Sequence, residues 1–176
     1  MSQESLSLYY ELIEKSIEGL NVDPKLCRGE KPGQWSYSKG KATVWIDVWE
    51  MAEPNNKSYF QVMSPIMELP ATGLEDFYKE LLEINYNFYG VGFVKLNQWI
   101  YIKSIREVEN LELSEVNSTL DRVGFYADDW ISKLKSVANL IEGLGRFLFL
   151  FLFASTSLMT VATIRILITE DEFKNK

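Results

Sequence analysis

Between Ala42 and Met51 the side chains alternate with a period of two. Val44, Ile46 and Val48 fall on one side; Trp45, Asp47 and Trp49 fall on the other. Successive side chains of a strand point to opposite faces, so this run reads as a β-strand with one aliphatic and one aromatic face. Its flanks repeat the period. From Gln34 to Lys39, Trp35 and Tyr37 alternate with polar residues, and a turn follows at Gly40-Lys41. From Ser58 to Met63, Phe60 and Val62 oppose Tyr59, Gln61 and Met63, after a turn composed of Glu53-Pro54-Asn55-Asn56. Three strands joined by short turns predict an antiparallel meander.

Helical spacing surrounds the meander. Leu6, Tyr9, Tyr10, Ile13, Ile17 and Leu20 predict an amphipathic helix over 3–20, ended by Gly19, Asn21 and Pro24. Cys27 to Gly33 reads as a loop. Thr72-Gly73-Leu74-Glu75 has the form of a capping box, and Leu74, Phe77, Tyr78, Leu81 and Leu82 follow on one helical face. Val91–Leu96 and Trp99–Ile105 read as a second hairpin turning at Asn97-Gln98. Ser114 is the expected cap of a last helix, whose apolar stripe is Val116, Leu120, Val123, Ala127, Trp130 (or Ile131) and Leu134. The order α-βββ-α-ββ-α predicts an α+β fold, with an antiparallel sheet packed against helices.

Composition then removes whole classes of chemistry. The 176 residues include no histidine and one cysteine, Cys27. That excludes Ser-His-Asp and Cys-His catalysis, His-ligated metals, an internal disulfide and a CxxC pair. Eighteen basic against 25 acidic residues leave a net charge of −7, the wrong sign for a general nucleic-acid binder. Gly29-Glu30-Lys31-Pro32-Gly33 lacks the spacing of a phosphate loop and reads as a turn; Gly90-Val91-Gly92 enters a strand and reads as a bent strand edge. Asn56-Lys57-Ser58 and Asn117-Ser118-Thr119 match the glycosylation pattern by chance, since the N-terminus carries no secretory signal.

Three places hold carboxylates or a thiol that could carry chemistry. Asp128-Asp129 are adjacent on a helix and point about 100° apart, so they cannot share a proton; with Asp121 they read as a solvated acidic face. Asp47, between two indoles, is either a desolvated acid or a solvent-facing edge charge that discourages aggregation, and the second is preferred. Cys27 has Arg28 beside it, a cation that would lower its pKa, but nothing supplies a base. No catalytic, cofactor or metal residues are assigned, and no cofactor is expected. What remains is aromatic: Trp45 and Trp49 on the face away from the aliphatic side, joined by one or both of Trp35 and Trp99. These four are the candidate protein-binding residues. The competing reading is a second small core closed by another helix.

Several stretches carry a resemblance. Leu81-Leu82-Glu83-Ile84-Asn85 closes the second helix. Phe88-Tyr89-Gly90-Val91-Gly92-Phe93 opens the aromatic-glycine hairpin, and Trp99-Ile100-Tyr101-Ile102 is its return strand. Leu111-Glu112-Leu113-Ser114 opens the last helix, and Val123-Gly124-Phe125-Tyr126-Ala127-Asp128-Asp129-Trp130 with Leu134 fills it. In this order, over residues 5 to 136, the chain resembles the class I type III secretion chaperone fold shared by the Tir-chaperone (CesT-like) and YbjN-domain proteins of bacteria. It is more similar to the YbjN side, whose closing helix carries an alanine-aspartate pair. The resemblance implies a small, usually homodimeric, non-enzymatic protein. The secretion chaperones hold an unfolded effector segment along hydrophobic patches and sheet edges; the YbjN proteins are described as regulatory.

The resemblance places a domain at 1–138 and an apolar extension at 139–176. Phe147 to Ile164 is 18 residues without a charge. As a helix this run reaches about 27 Å, near the hydrocarbon thickness of about 30 Å. A single membrane helix at about 147–168 is therefore one expectation. Lys133, Lys135 and Arg146 before it and Glu170, Asp171 and Glu172 after it would keep the domain cytoplasmic. A packed helix or strand, or an aberrant extension of a complete domain, are the others, since Ser155, Thr156, Ser157, Thr160 and Thr163 dilute the run.

Overall fold

The computed structural model describes the backbone of residues 3–51 and 57–174, and the side chains of 6–51 and 57–144. The turn expected at 53–56 lies outside these residues. The elements run α1 (Gln3–Gly19), α2 (Pro24–Cys27), β1 (Gln34–Lys39), β2 (Ala42–Met51), β3 (Lys57–Glu68), α3 (Leu74–Asn85), β4 (Gly92–Leu96), β5 (Trp99–Glu107) and α4 (Leu113–Lys174). The strands form one antiparallel sheet in the order β1-β2-β3-β5-β4. The expected α+β order is observed, with the single turn of α2 added just before the loop expected at Cys27–Gly33. Asp23 caps that turn by accepting from the Lys25 amide at 2.9 Å.

The aliphatic face of the sheet and the helices make the core. Val44, Ile46, Val48, Phe60, Val62, Ile100 and Ile102 pack against Ile13 and Ile17 of α1, Phe77 of α3 and Val116, Leu120, Val123, Ala127 and Leu134 of α4. Each large side chain removed from water in this way contributes about 1.5–3 kcal/mol. Both Trp130 and Ile131 lean on this core. Trp130 closes an aromatic cluster with Phe88 and Phe93, centroids 5.7 and 5.6 Å away, which holds the β4–β5 hairpin on α4.

Four local expectations are corrected. β3 extends past Met63 to Glu68, through Pro65; the strand accommodates the proline because pairing with β2 ends at Met63 and a bulge follows between Pro65 and Met67. The capping box at Thr72 does not form. Gly73 is the N-cap of α3, left-handed at φ 69°, with no side-chain cap bond, which places Thr72 one residue too early. A Cβ on Gly73 would lie 2.5 Å from Ile141 Cγ2 of α4, so tertiary packing selects glycine here. On α3 only Phe77 and Leu81 are buried; Leu82 is exposed, since neighbours 100° apart on a helix cannot both face the sheet. Finally, α4 starts at Leu113, and Glu115 rather than Ser114 serves its N-terminus, accepting from the Glu112 amide at 3.0 Å.

The backbone of α4 runs helically through position 138 and on to Lys174. Contacts with the domain continue past 138: Ile141 packs on the core, and Glu142 accepts from the Ala71 amide at 3.0 Å. Among the described residues no helix is long and apolar enough to cross a membrane. The side chains of the expected segment at 147–168 lie outside the described residues.

Candidate functional site

Strand periodicity builds the outer face of the sheet. Because β2 turns Val44, Ile46 and Val48 into the core, it must turn Trp45, Asp47 and Trp49 outward. Register then sets their neighbours in rows across β2, β3 and β5. Trp45 lies opposite Met63, which lies opposite Lys103; Asp47 leads to Gln61 and Ile105; Trp49 leads to Tyr59 and Glu107. Trp49 stacks on Tyr59 at 5.8 Å, and Trp45 meets Tyr101 at 6.0 Å. Each such pair adds about 0.5–1.5 kcal/mol beyond the area it buries. The face still reaches solvent: Trp45 is 38% exposed and Ile105 47%.

The core residues of α1, α3 and α4 all pack on the opposite face, so among the described residues no helix closes a second core here. Trp99 is on the outer face, two residues from Tyr101 and 38% exposed. Trp35 is not. It pairs with Ile46 in register and is 4% exposed on the core side. There the Tyr10 ring meets it edge-on at 5.4 Å, and its indole N–H donates to Glu14 Oε1 at 3.2 Å. Tyr59, Met63, Tyr101 and Ile105 complete the face instead. The period-two pattern of Ser58–Met63 and Trp99–Ile105 was the signal for them.

Between the aromatic rows runs a polar track. Asp47 Oδ1 accepts from Gln34 Nε2 at 3.0 Å and Oδ2 from Gln61 Nε2 at 3.3 Å. Asp47 is thus not an edge charge, since β2 lies between β1 and β3. Cys27 also departs from expectation. It is buried, and burial, with the nearby Asp23 charge, pushes its thiol pKa up. Arg28 does not serve it, because its guanidinium makes a two-point bond to Glu14 at 2.7 and 2.8 Å. Among the described residues no cluster of three or more acids or cysteines could hold a metal ion.

Asp121, Asp128 and Asp129 lie on the solvated side of α4 as expected, and each is also engaged by a partner. Asp128 Oδ1 accepts from the Lys41 amide at 2.7 Å; Asp121 pairs with Lys39 and Asp129 with Lys133, each at 2.7 Å. Ala127 beside them is fully buried. The alanine-aspartate pair therefore has a structural use: the small residue lets α4 approach the sheet, and the acid fastens the β1–β2 turn.

No family model matches this sequence, and no curated protein matches it. Among solved structures, a chain of the HopA1–SchA chaperone–effector complex shares the fold. The TM-score is 0.55 at 10% identity, over 75% of this chain and 99% of that one. The chain accordingly has a type III secretion chaperone-like fold.

Proposed function

We propose that this chain is a non-enzymatic protein-binding module, chaperone-like or regulatory, that takes a client or partner chain on the outer face of its sheet. The observation that carries this reading is the face itself. Trp45, Trp49, Tyr59, Tyr101 and Ile105 share this face, Trp45 against Tyr101 and Trp49 against Tyr59, with no helix over them among the described residues. Half-exposed rings grouped on a rigid sheet gain most when a partner completes their burial. The fold shared with a chain of a chaperone–effector complex supports the same reading. A homodimer is the simplest closed self-assembly of such a patch. Neither a cofactor nor nucleic acid enters this function.

The test combines folding and association. Trp45→Ala and Trp49→Ala should retain the circular dichroism and melting of the parent while weakening client capture or self-association, by about 2 kcal/mol for an interface tryptophan. Sedimentation of the full chain reads the dimer. A Trp45→Ala variant that melts as early as Ile46→Asp would show the ring to be core and end the reading.

A second reading is a membrane-anchored cytoplasmic adaptor displaying the same domain. It is favoured by the helical backbone of α4 through the 18 uncharged residues Phe147–Ile164. Full-length protein that leaves the membrane fraction in an alkaline carbonate wash would end it.

A further inference from the structure

We infer that the polar track through Asp47 seats a cationic side chain of the partner, an arginine or lysine flanked by apolar residues, between the rings of Trp45 and Trp49. This rests on the reading of the outer face as a protein-binding surface, and it names the chemistry that face selects.

The geometry is that of a carboxylate with a ring on either side. Same-face neighbours on a strand stand about 7 Å apart. A cation over Asp47 is therefore near both indoles, and rings attract cations within about 6 Å of their centres. Beside Trp49 the surface opens into a cleft of about 420 Å³, walled by Asp47, Gln61, Gln34 and Pro32.

Asp47 is oriented but not neutralised. Its oxygens accept from two neutral amides, Gln34 and Gln61. None of the ion pairs among the described residues includes it. Lys31 stands on the rim of the cleft without pairing with it, and Lys103 is two strands away beyond Met63, about 10 Å across the sheet. A wholly apolar partner laid across the rings would bury this charge unpaired, which is heavily unfavourable. A partner that brings its own cation avoids that loss, so Asp47 discriminates between apolar segments as well as attracting basic ones. The net charge of −7 adds long-range steering of a basic partner.

The experiment selects phage-displayed random dodecapeptides on the immobilised full-length protein. Selected peptides should be enriched in Arg or Lys between apolar residues. Replacing that basic residue by Gln in one selected peptide should weaken binding about tenfold, as should Asp47→Asn, and the two together should cost no more than either alone. The Gln peptide needs no protein variant, so the test survives a misfolded Asp47→Asn. Peptides that depend on Trp45 yet show no basic enrichment, or bind Asp47→Asn undiminished, overturn the inference and leave the face intact. No selectable peptide because a second copy covers the face overturns the inference alone, and selected peptides indifferent to Trp45→Ala overturn both.

Discussion

The backbone amide of Lys41 donates to Asp128 Oδ1 at 2.7 Å, across 87 positions of sequence. This bond ties the two-residue turn between β1 and β2 to the N-terminal third of α4. Gly40, at φ 57°, lies so close that a Cβ there would stand 2.3 Å from the same oxygen. Lys41 Nζ adds a bond to Ser132 Oγ at 3.1 Å. The turn is thus clasped to the helix that closes the core.

Removing the acid should loosen the clasp. Asp128→Ala should lower stability by about 1–3 kcal/mol, the cost of a lost charge-assisted bond. Gly40→Ala should cost at least as much, combining left-handed strain with the clash. Asp121→Ala removes an exposed pair with Lys39 and should change stability by less than about 0.5 kcal/mol. Urea unfolding midpoints of the three variants give the ranking; an Asp128→Ala as stable as the parent would show that the bond is not holding the turn.

The four candidate tryptophans should divide by face. Trp35→Ala should cost about 3–5 kcal/mol, because it empties a buried site. Trp99→Ala, at a half-exposed position, should stay within about 1 kcal/mol of the parent. Thermal melts of the two side by side check this; equal losses would contradict the burial of Trp35.

At the far edge of the sheet, Asn85 plays the part of a neighbouring strand. Its Oδ1 accepts from the Phe93 amide at 2.7 Å, and its Nδ2 donates to the Phe93 carbonyl at 3.3 Å. Asn85→Ala should free both groups on edge strand β4, costing about 1–2 kcal/mol and exposing a template for strand pairing. Concentration-dependent light scattering should rise in this variant; scattering equal to the parent at high concentration would refute the protective role.

Glu14 should set an acid limb of stability. The two-point bond from Arg28 holds its carboxyl below the ordinary 4.5, helped by the Trp35 indole and opposed by burial. A depressed folded-state pKa means stabilisation that is complete above 4.5 and lost as pH falls through the folded value. Glu14→Gln should therefore be less stable near neutrality and show a flatter decline below pH 4.5. Urea midpoints followed from neutrality into acid measure it; parallel curves for parent and variant would contradict the assignment.

Much of the fold was legible in local pattern. The alternation over Ala42–Met51 predicted β2 to the residue; of the predicted stripe of α4, Val116, Leu120, Val123, Ala127 and Leu134 are fully buried, while Trp130 and Ile131 are partly buried against them. Caps were less legible. A capping box is a local pattern, yet at Thr72 it lost to Ile141, a residue 69 positions away whose packing demands glycine at 73.

Local order along the chain set which residues alternate and which recur at helical spacing, and the lack of histidine with a single cysteine excluded imidazole chemistry and an internal disulfide. Those are properties of neighbours in the chain, and period alone expresses them. Tertiary structure decided which side of each strand the helices cover. Period two separates Trp35 from Ser36 but does not say which belongs with Trp45; the antiparallel register does, by setting Trp35 against Ile46 and so into the core. It also decided that Asp47 lies inside the sheet between two glutamines, since β1 and β3 both add to β2. The reason is physical: burial and pairing depend on contacts between segments far apart in sequence, and those exist only once the sheet and α4 have closed on each other.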